Sequence, residues 1–131
     1  MAYQIEKKDG FFEVNVSGET SKFEIIKILL ELAFRNPEKK LPDLWAFSEA
    51  SEVPFRQFSD IVQVIQHLLP RDAAGNKTAI VAADAIQGGI LELFRAEASS
   101  LPYDIGVFRS RDEAIEWFKS PKPPAAPRWR R

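Results

Sequence analysis

Two serines, Ser48 and Ser51, stand in the stretch LWAFSEASEVP, where an apolar run gives way to polar residues just ahead of Pro54. A serine between a strand and a helix N-terminus is suited to phosphorylation, because the new anion would face free N–H groups and order the loop or repel a partner. Glu49 and Glu52 work against that chemistry, since like charges resist a further dianion. Ser51, nearest the proline, is the better placed of the two; the plainer reading makes both serines polar residues that begin a helix.

A second constellation is DAIQGG, with Asp84, Gln87, Gly88 and Gly89. A glycine pair admits close approach of a ligand or of another backbone. The stretch lacks both the Lys-Ser/Thr of a phosphate loop and the GxGxxG of a dinucleotide site, so tight packing of a helix on a sheet is the expected use. Together with Glu49 and Phe55, these four residues make the expected binding surface. The one histidine, His67, lies on the outward side of a helical pattern, with no nucleophile or second ligand placed near it. Carboxylates are scattered without a nameable acid/base pair, and there is no cysteine. No catalytic set, metal site or cofactor is therefore expected.

The elements that would position these residues are readable from periodicity. Tyr3 and Ile5, then Phe12, Val14 and Val16, alternate with polar residues around Asp9-Gly10, a strand–turn–strand pattern. The next segment switches to helical spacing, with Phe23, Ile26, Leu29, Leu30, Ala33 and Phe34 expected on its buried face and Ser21 and Glu24 at capping-box spacing. Leu44 to Phe47 is a short strand, and Phe55, Phe58, Ile61, Val62, Ile65, Leu68 and Leu69 form the stripe of a second helix ended by Pro70. KTAIVAAD has no polar alternation, as expected of a strand covered on both faces. Asp84 and Gln87 then cap a helix carrying Ile86, Ile90, Leu93 and Phe94. YDIGVF is a last strand, and Ser110 and Glu113 open a final helix with Ala114, Ile115 and Phe118 inward.

Strands alternating with helices in this way predict an α/β fold: a single open, mixed but mostly parallel sheet of about five strands, begun by an antiparallel hairpin and packed with about four helices. Ligands in such sheets collect at the carboxyl ends of the strands, which points to the loops Ser48 to Pro54, Asp84 to Gly89 and Arg109 to Asp112. Residues 1–119 are expected to form this domain. Residues 120–131, SPKPPAAPRWRR, form a Pro/Arg-rich tail too poor in apolar residues to bury a core. Trp129 among its arginines suits an anionic surface, against the plainer reading of a disordered tail.

The chain of 131 residues carries a net charge of −1, which speaks against general nucleic-acid binding. No run is apolar enough to cross a bilayer, and the absence of cysteine sets no demand for an oxidising compartment, so a cytoplasmic location is expected.

The element order, with GETSKFEII, DLWAFSEAS, KTAIVAAD and above all IGVFRSRDEAIEWF, resembles the SpoIIAA-like branch of the STAS superfamily from Tyr3 to about Phe118. The resemblance implies a non-enzymatic interaction or regulatory module whose partner is another protein or a second copy of itself. Members that switch by phosphorylation carry the serine in an Asp-Ser-Ser/Thr-Gly segment; FSEASEVP has Glu, Ala and Pro in that region, so the resemblance transfers no phosphoacceptor. The related CRAL-TRIO fold implies an alternative, a small apolar-ligand or lipid carrier with its pocket between the sheet and the helices bearing Phe55, Phe58, Ile90 and Phe94.

Overall fold

The computed structural model describes residues 2–37, 40–48, 55–68, 76–101 and 103–120. Glu49, Ser51, Glu52, Pro54, Leu69, Pro70 and the tail with Trp129 lie outside the described residues, as does the side chain of Phe55.

The hairpin pairs β1 (Ala2–Lys8) with β2 (Phe11–Ser17) across Asp9-Gly10, where Gly10 adopts the positive φ of 88° that the tight turn requires. There follow α1 (Lys22–Arg35), β3 (Asp43–Phe47), a 3-10 turn (Phe55–Gln57), α2 (Phe58–Leu68), β4 (Lys77–Val81), α3 (Ala85–Glu97), β5 (Asp104–Phe108) and α4 (Arg111–Lys119). The strands lie in the order β1-β2-β3-β4-β5, and every pair after the hairpin is parallel. This is the mixed α/β sheet that the alternating pattern predicts.

Three helices begin where the capping spacings place them. Ser21 and Glu24 form a complete capping box on α1, Asp84 Oδ1 accepts from Gln87 N at 2.8 Å on α3, and Ser110 Oγ accepts from Glu113 N at 3.2 Å on α4. The second helix differs: Phe55 falls in the 3-10 turn, and α2 proper begins three residues later.

Register divides the side chains between two faces. Val14, Trp45, Ile80 and Val107 stand side by side on one face and belong to a core completed by α1, α2 and α3. Leu44 and Ala79 stand on the other, with Phe11 and Phe108, beneath Ala114 and Trp117 of α4. Two contacts fasten α4 there. Lys77 Nζ donates to the carbonyls of Trp117 (2.7 Å) and Ser120, as a cation at a helix C-terminus should, and lies 5.2 Å from the Trp117 ring centre. At the other end, Arg111 Nε donates to Glu13 Oε1 at 2.7 Å. Burial pushes the Glu13 carboxyl up, but hydrogen bonds from Asn15 and Arg111 and the charge of Arg111 outweigh it and hold the group below its ordinary value.

The buried face of α1 is only in part the expected one: Leu29 packs against the core, but most of the expected stripe does not. Ile25, Ile28 and Leu32 are buried, whereas Phe23, Leu30 and Phe34 are 74%, 52% and 86% exposed. Both sets recur at helical spacing, so the helix carries an apolar stripe on two sides and periodicity alone does not choose between them. On α3, likewise, Leu91 is buried while Ile86 and Leu93 are exposed. Replacing Ile28 with Ala should cost about 2 to 5 kcal/mol, and replacing Phe34 with Ser no more than about 0.5 kcal/mol, in urea denaturation; a larger loss at Phe34 than at Ile28 would mean that the other stripe faces the sheet.

Candidate functional site

Residues that alternate along a strand share a face, and three polar side chains share the three-helix face at the amino ends of the strands. Asp43 opens β3 in register with Thr78 of β4, and Tyr103 immediately precedes β5. Asp43 is 7% exposed. Its Oδ1 accepts from Thr78 Oγ1 at 2.6 Å and its Oδ2 from Trp45 Nε1 at 2.9 Å. A buried carboxylate holding two such donors is compensated for part of the solvation that it loses. Tyr103 is buried beside it: burial pushes its phenol well above the ordinary value, the Asp43 charge raises it further, and a hydrogen bond with Thr78 opposes the shift.

These groups form the polar part of an otherwise apolar hollow. A cavity of about 60 Å³ lies between the sheet and α1, α2 and α3, with Asp43, Thr78 and Tyr103 on one side and Phe58 and Phe94 on the other. The two phenylalanine rings meet edge to face, 5.2 Å between centres. A second cavity of about 50 Å³ shares Leu29, Asp43, Ile65 and Tyr103 with the first and continues toward Asn36 and Leu68. Among the described residues, neither cavity is lined by a Lys, Arg or His. Asn36, itself buried, closes that end by exchanging two hydrogen bonds with the backbone of Leu41, at 2.9 and 3.2 Å.

The expected surface lies at the opposite, carboxyl end of the sheet, and its residues divide. Ser48 follows β3; its N–H donates to Val16 O at 3.0 Å, and it lines an open depression of about 370 Å³ with Ser17 and Asn15. Gln87 is 6% exposed and so is not displayed to a partner. Its Nε2 donates to Ser48 O at 3.0 Å and its Oε1 accepts from Ala83 N at 2.8 Å, so it ties the exit of β3 to that of β4. Gly88 is buried, as packing predicts, but a side chain at Gly89 would meet open space. Asp84 is exposed and spends its carboxylate on the helix cap. Glu49 and Ser51 fall outside the described residues. His67 is exposed, with its ring Nδ1 2.8 Å from Gln63 O. No three His, Cys, Asp or Glu converge on a metal position, and no helix is long and apolar enough to cross a membrane, among the described residues.

Sequence reasoning missed Asp43, Thr78 and Tyr103. The available signal was parity: an aspartate two residues before Trp45 must face the same way as that core ring.

No family model, curated protein or solved structure matches the chain.

Two outcomes follow from this geometry. Gln87→Leu should lower stability by about 1 to 3 kcal/mol in chemical denaturation, because it strips the partners from two partly buried backbone groups; an unchanged midpoint would mean that the strut is idle. Tyr103 holds its proton in the folded protein while the unfolded chain releases it near the ordinary value of 10.0. Its contribution is therefore fully present below that pH and is lost as pH rises above it, at up to about 1.4 kcal/mol per pH unit. Tyr103→Phe should flatten this alkaline fall in stability, as followed by thermal unfolding between neutral and strongly alkaline pH.

Proposed function

We propose that this chain is a non-enzymatic binding module that holds a small apolar molecule between its sheet and the helices α1, α2 and α3. What carries the reading is the hollow beneath those helices. It is apolar on nearly all sides, it extends past a hydrogen-bonded buried carboxylate, and it borders Phe58 and Phe94, two of the aromatic residues that the carrier alternative singled out. Well-packed interiors have few voids larger than a water molecule, so two adjoining ones under a single helix layer favour a binding role. The CRAL-TRIO alternative implied by the resemblance to STAS domains is in line with it.

The size of the hollow bounds the ligand. An engineered apolar cavity of about 150 Å³ takes up the six heavy atoms of benzene, so the present pair, about 110 Å³ together, suits a molecule of roughly four heavy atoms, and benzene enters as the helices part slightly. Titration with benzene, followed at the Trp45 indole N–H by NMR, should give a saturable shift. Leu29→Trp fills the space common to both cavities and should abolish that shift while leaving the other backbone resonances in place. A wild-type indole that does not respond would overturn the reading.

A second reading, a protein-docking module, draws on Phe23, Leu30 and Phe34, which stand exposed along one side of α1. The outward side of α2 carries Ser59, Asp60, Gln63 and Gln66 instead.

A further inference from the structure

We propose that the exposed stripe of α1 packs against the same stripe of a second copy of this chain, antiparallel about a two-fold axis, to form a homodimer. The inference names a partner for the docking reading and is independent of the hollow.

Spacing comes first. Phe23, Lys27, Leu30 and Phe34 stand four, three and four residues apart, the interval of a coiled-coil seam. They occupy the side of α1 opposite the buried Ile25, Ile28 and Leu32, and so point away from the sheet. Phe23, Leu30 and Phe34 are all exposed, and three large apolar side chains left in water along one line gain free energy when a partner covers them.

Charge then selects the partner. A two-fold axis requires that wherever one residue meets a second across the interface, the reverse contact also occurs. With the axis crossing the seam beside Leu30 and the helices antiparallel, Phe23 falls against Phe34, Ile26 against Ala33 and Lys27 against Glu31, each pair twice, while Leu30 meets its own copy. Lys27 is exposed and the Glu31 side chain is 41% exposed, so both are placed to reach across the rim of the seam. The Tyr3 hydroxyl donates to Glu31 Oε1 at 3.0 Å and holds that carboxylate in position. Glu24, on the same flank, is turned back to Ser21 by the capping box. A parallel pair would instead bring Lys27 against Lys27 in one layer, which like-charge repulsion disfavours. One stretch of helix therefore carries both halves of an apolar match and of an ionic match.

The seam covers about three turns, roughly 16 Å of helix. That is less than a standard interface, so association with a Kd on the order of 10 to 100 µM is expected. At about 1 µM the chain is then a monomer, and the small loss expected above for Phe34→Ser belongs to that state.

The test is sedimentation velocity on the full chain at low salt, from about 1 to 500 µM. The wild type should pass from monomer to dimer across this range. Lys27→Glu and Glu31→Lys should each weaken association by about tenfold, because each sets like charges together on both sides of the axis. Mixed in equal amounts, the two variants should associate again as the wild type does, since each then supplies the charge that the other needs. Leu30→Glu should stay monomeric throughout. Where Glu31→Lys loses its fold along with the Tyr3 bond, Lys27→Glu and Leu30→Glu, both at exposed positions, carry the test. A wild type that remains monomeric to the highest concentration would overturn the dimer, as would a dimer indifferent to Lys27→Glu and Leu30→Glu. Neither result touches the hollow, which the benzene titration tests separately.

Discussion

A parallel sheet that advances one strand at a time in a single direction leaves its crossovers no choice of side, because each right-handed connection returns over the same face. With strand order β1-β2-β3-β4-β5, the helices α1, α2 and α3 are laid in one layer, and only a helix after the last strand escapes the rule. The two faces therefore receive unequal cover. Thirty-eight residues of helix lie over one, in runs of 14, 11 and 13, and the nine of α4 lie over the other. Side chains respond accordingly: bulky aliphatic and aromatic groups fill the three-helix face, while leucine, alanine and a glycine stand beside one another at the middle of the second.

The thick layer is also where space is left over. Three helices of different length must each seat a curved row of side chains on a twisted sheet, and at the amino ends of β3 and β4 the fill is a carboxylate, a hydroxyl and a phenol in place of aliphatic carbon. Polar groups are rigid packing elements because their partners fix their directions. Asp43 joins β3 to β4 and to its own Trp45 through hydrogen bonds that an aliphatic residue could not replace, and the hollow persists beside it.

Much of this was legible in the sequence wherever the determinant was local. Asp9-Gly10 specifies its hairpin through backbone conformation, Ser21, Asp84 and Ser110 specify helix starts through a bond three residues away, and strand alternation assigns faces by parity. What escaped depends on relations between distant segments. Thr78 meets Asp43 across 35 positions, and only the parallel register brings them level. The double-striped α1 escaped for a related reason: either side satisfies helical spacing, and the crossover, not the helix, decides which side is buried. The expectation of a site at the carboxyl ends rested on a rule about open sheets. At that end this chain ties Gln87 to Ser48, and the buried carboxylate of Asp43 stands at the other end.

The thin cover of the second face has a consequence in time. Synthesis runs from the amino terminus, so the hairpin and the three crossovers emerge before α4, and Glu13 precedes its partner Arg111 by 98 positions. At roughly 5 to 20 residues per second, that interval lasts on the order of 5 to 20 seconds. During it, Phe11, Leu44, Ala79 and finally Phe108 present an uncovered apolar sheet surface while the opposite side is already being roofed. A nascent chain of this sequence is thus most open to wrong pairing on the side that ends up covered by a single nine-residue helix, and closure by Trp117 and Lys77 marks the end of that vulnerable interval.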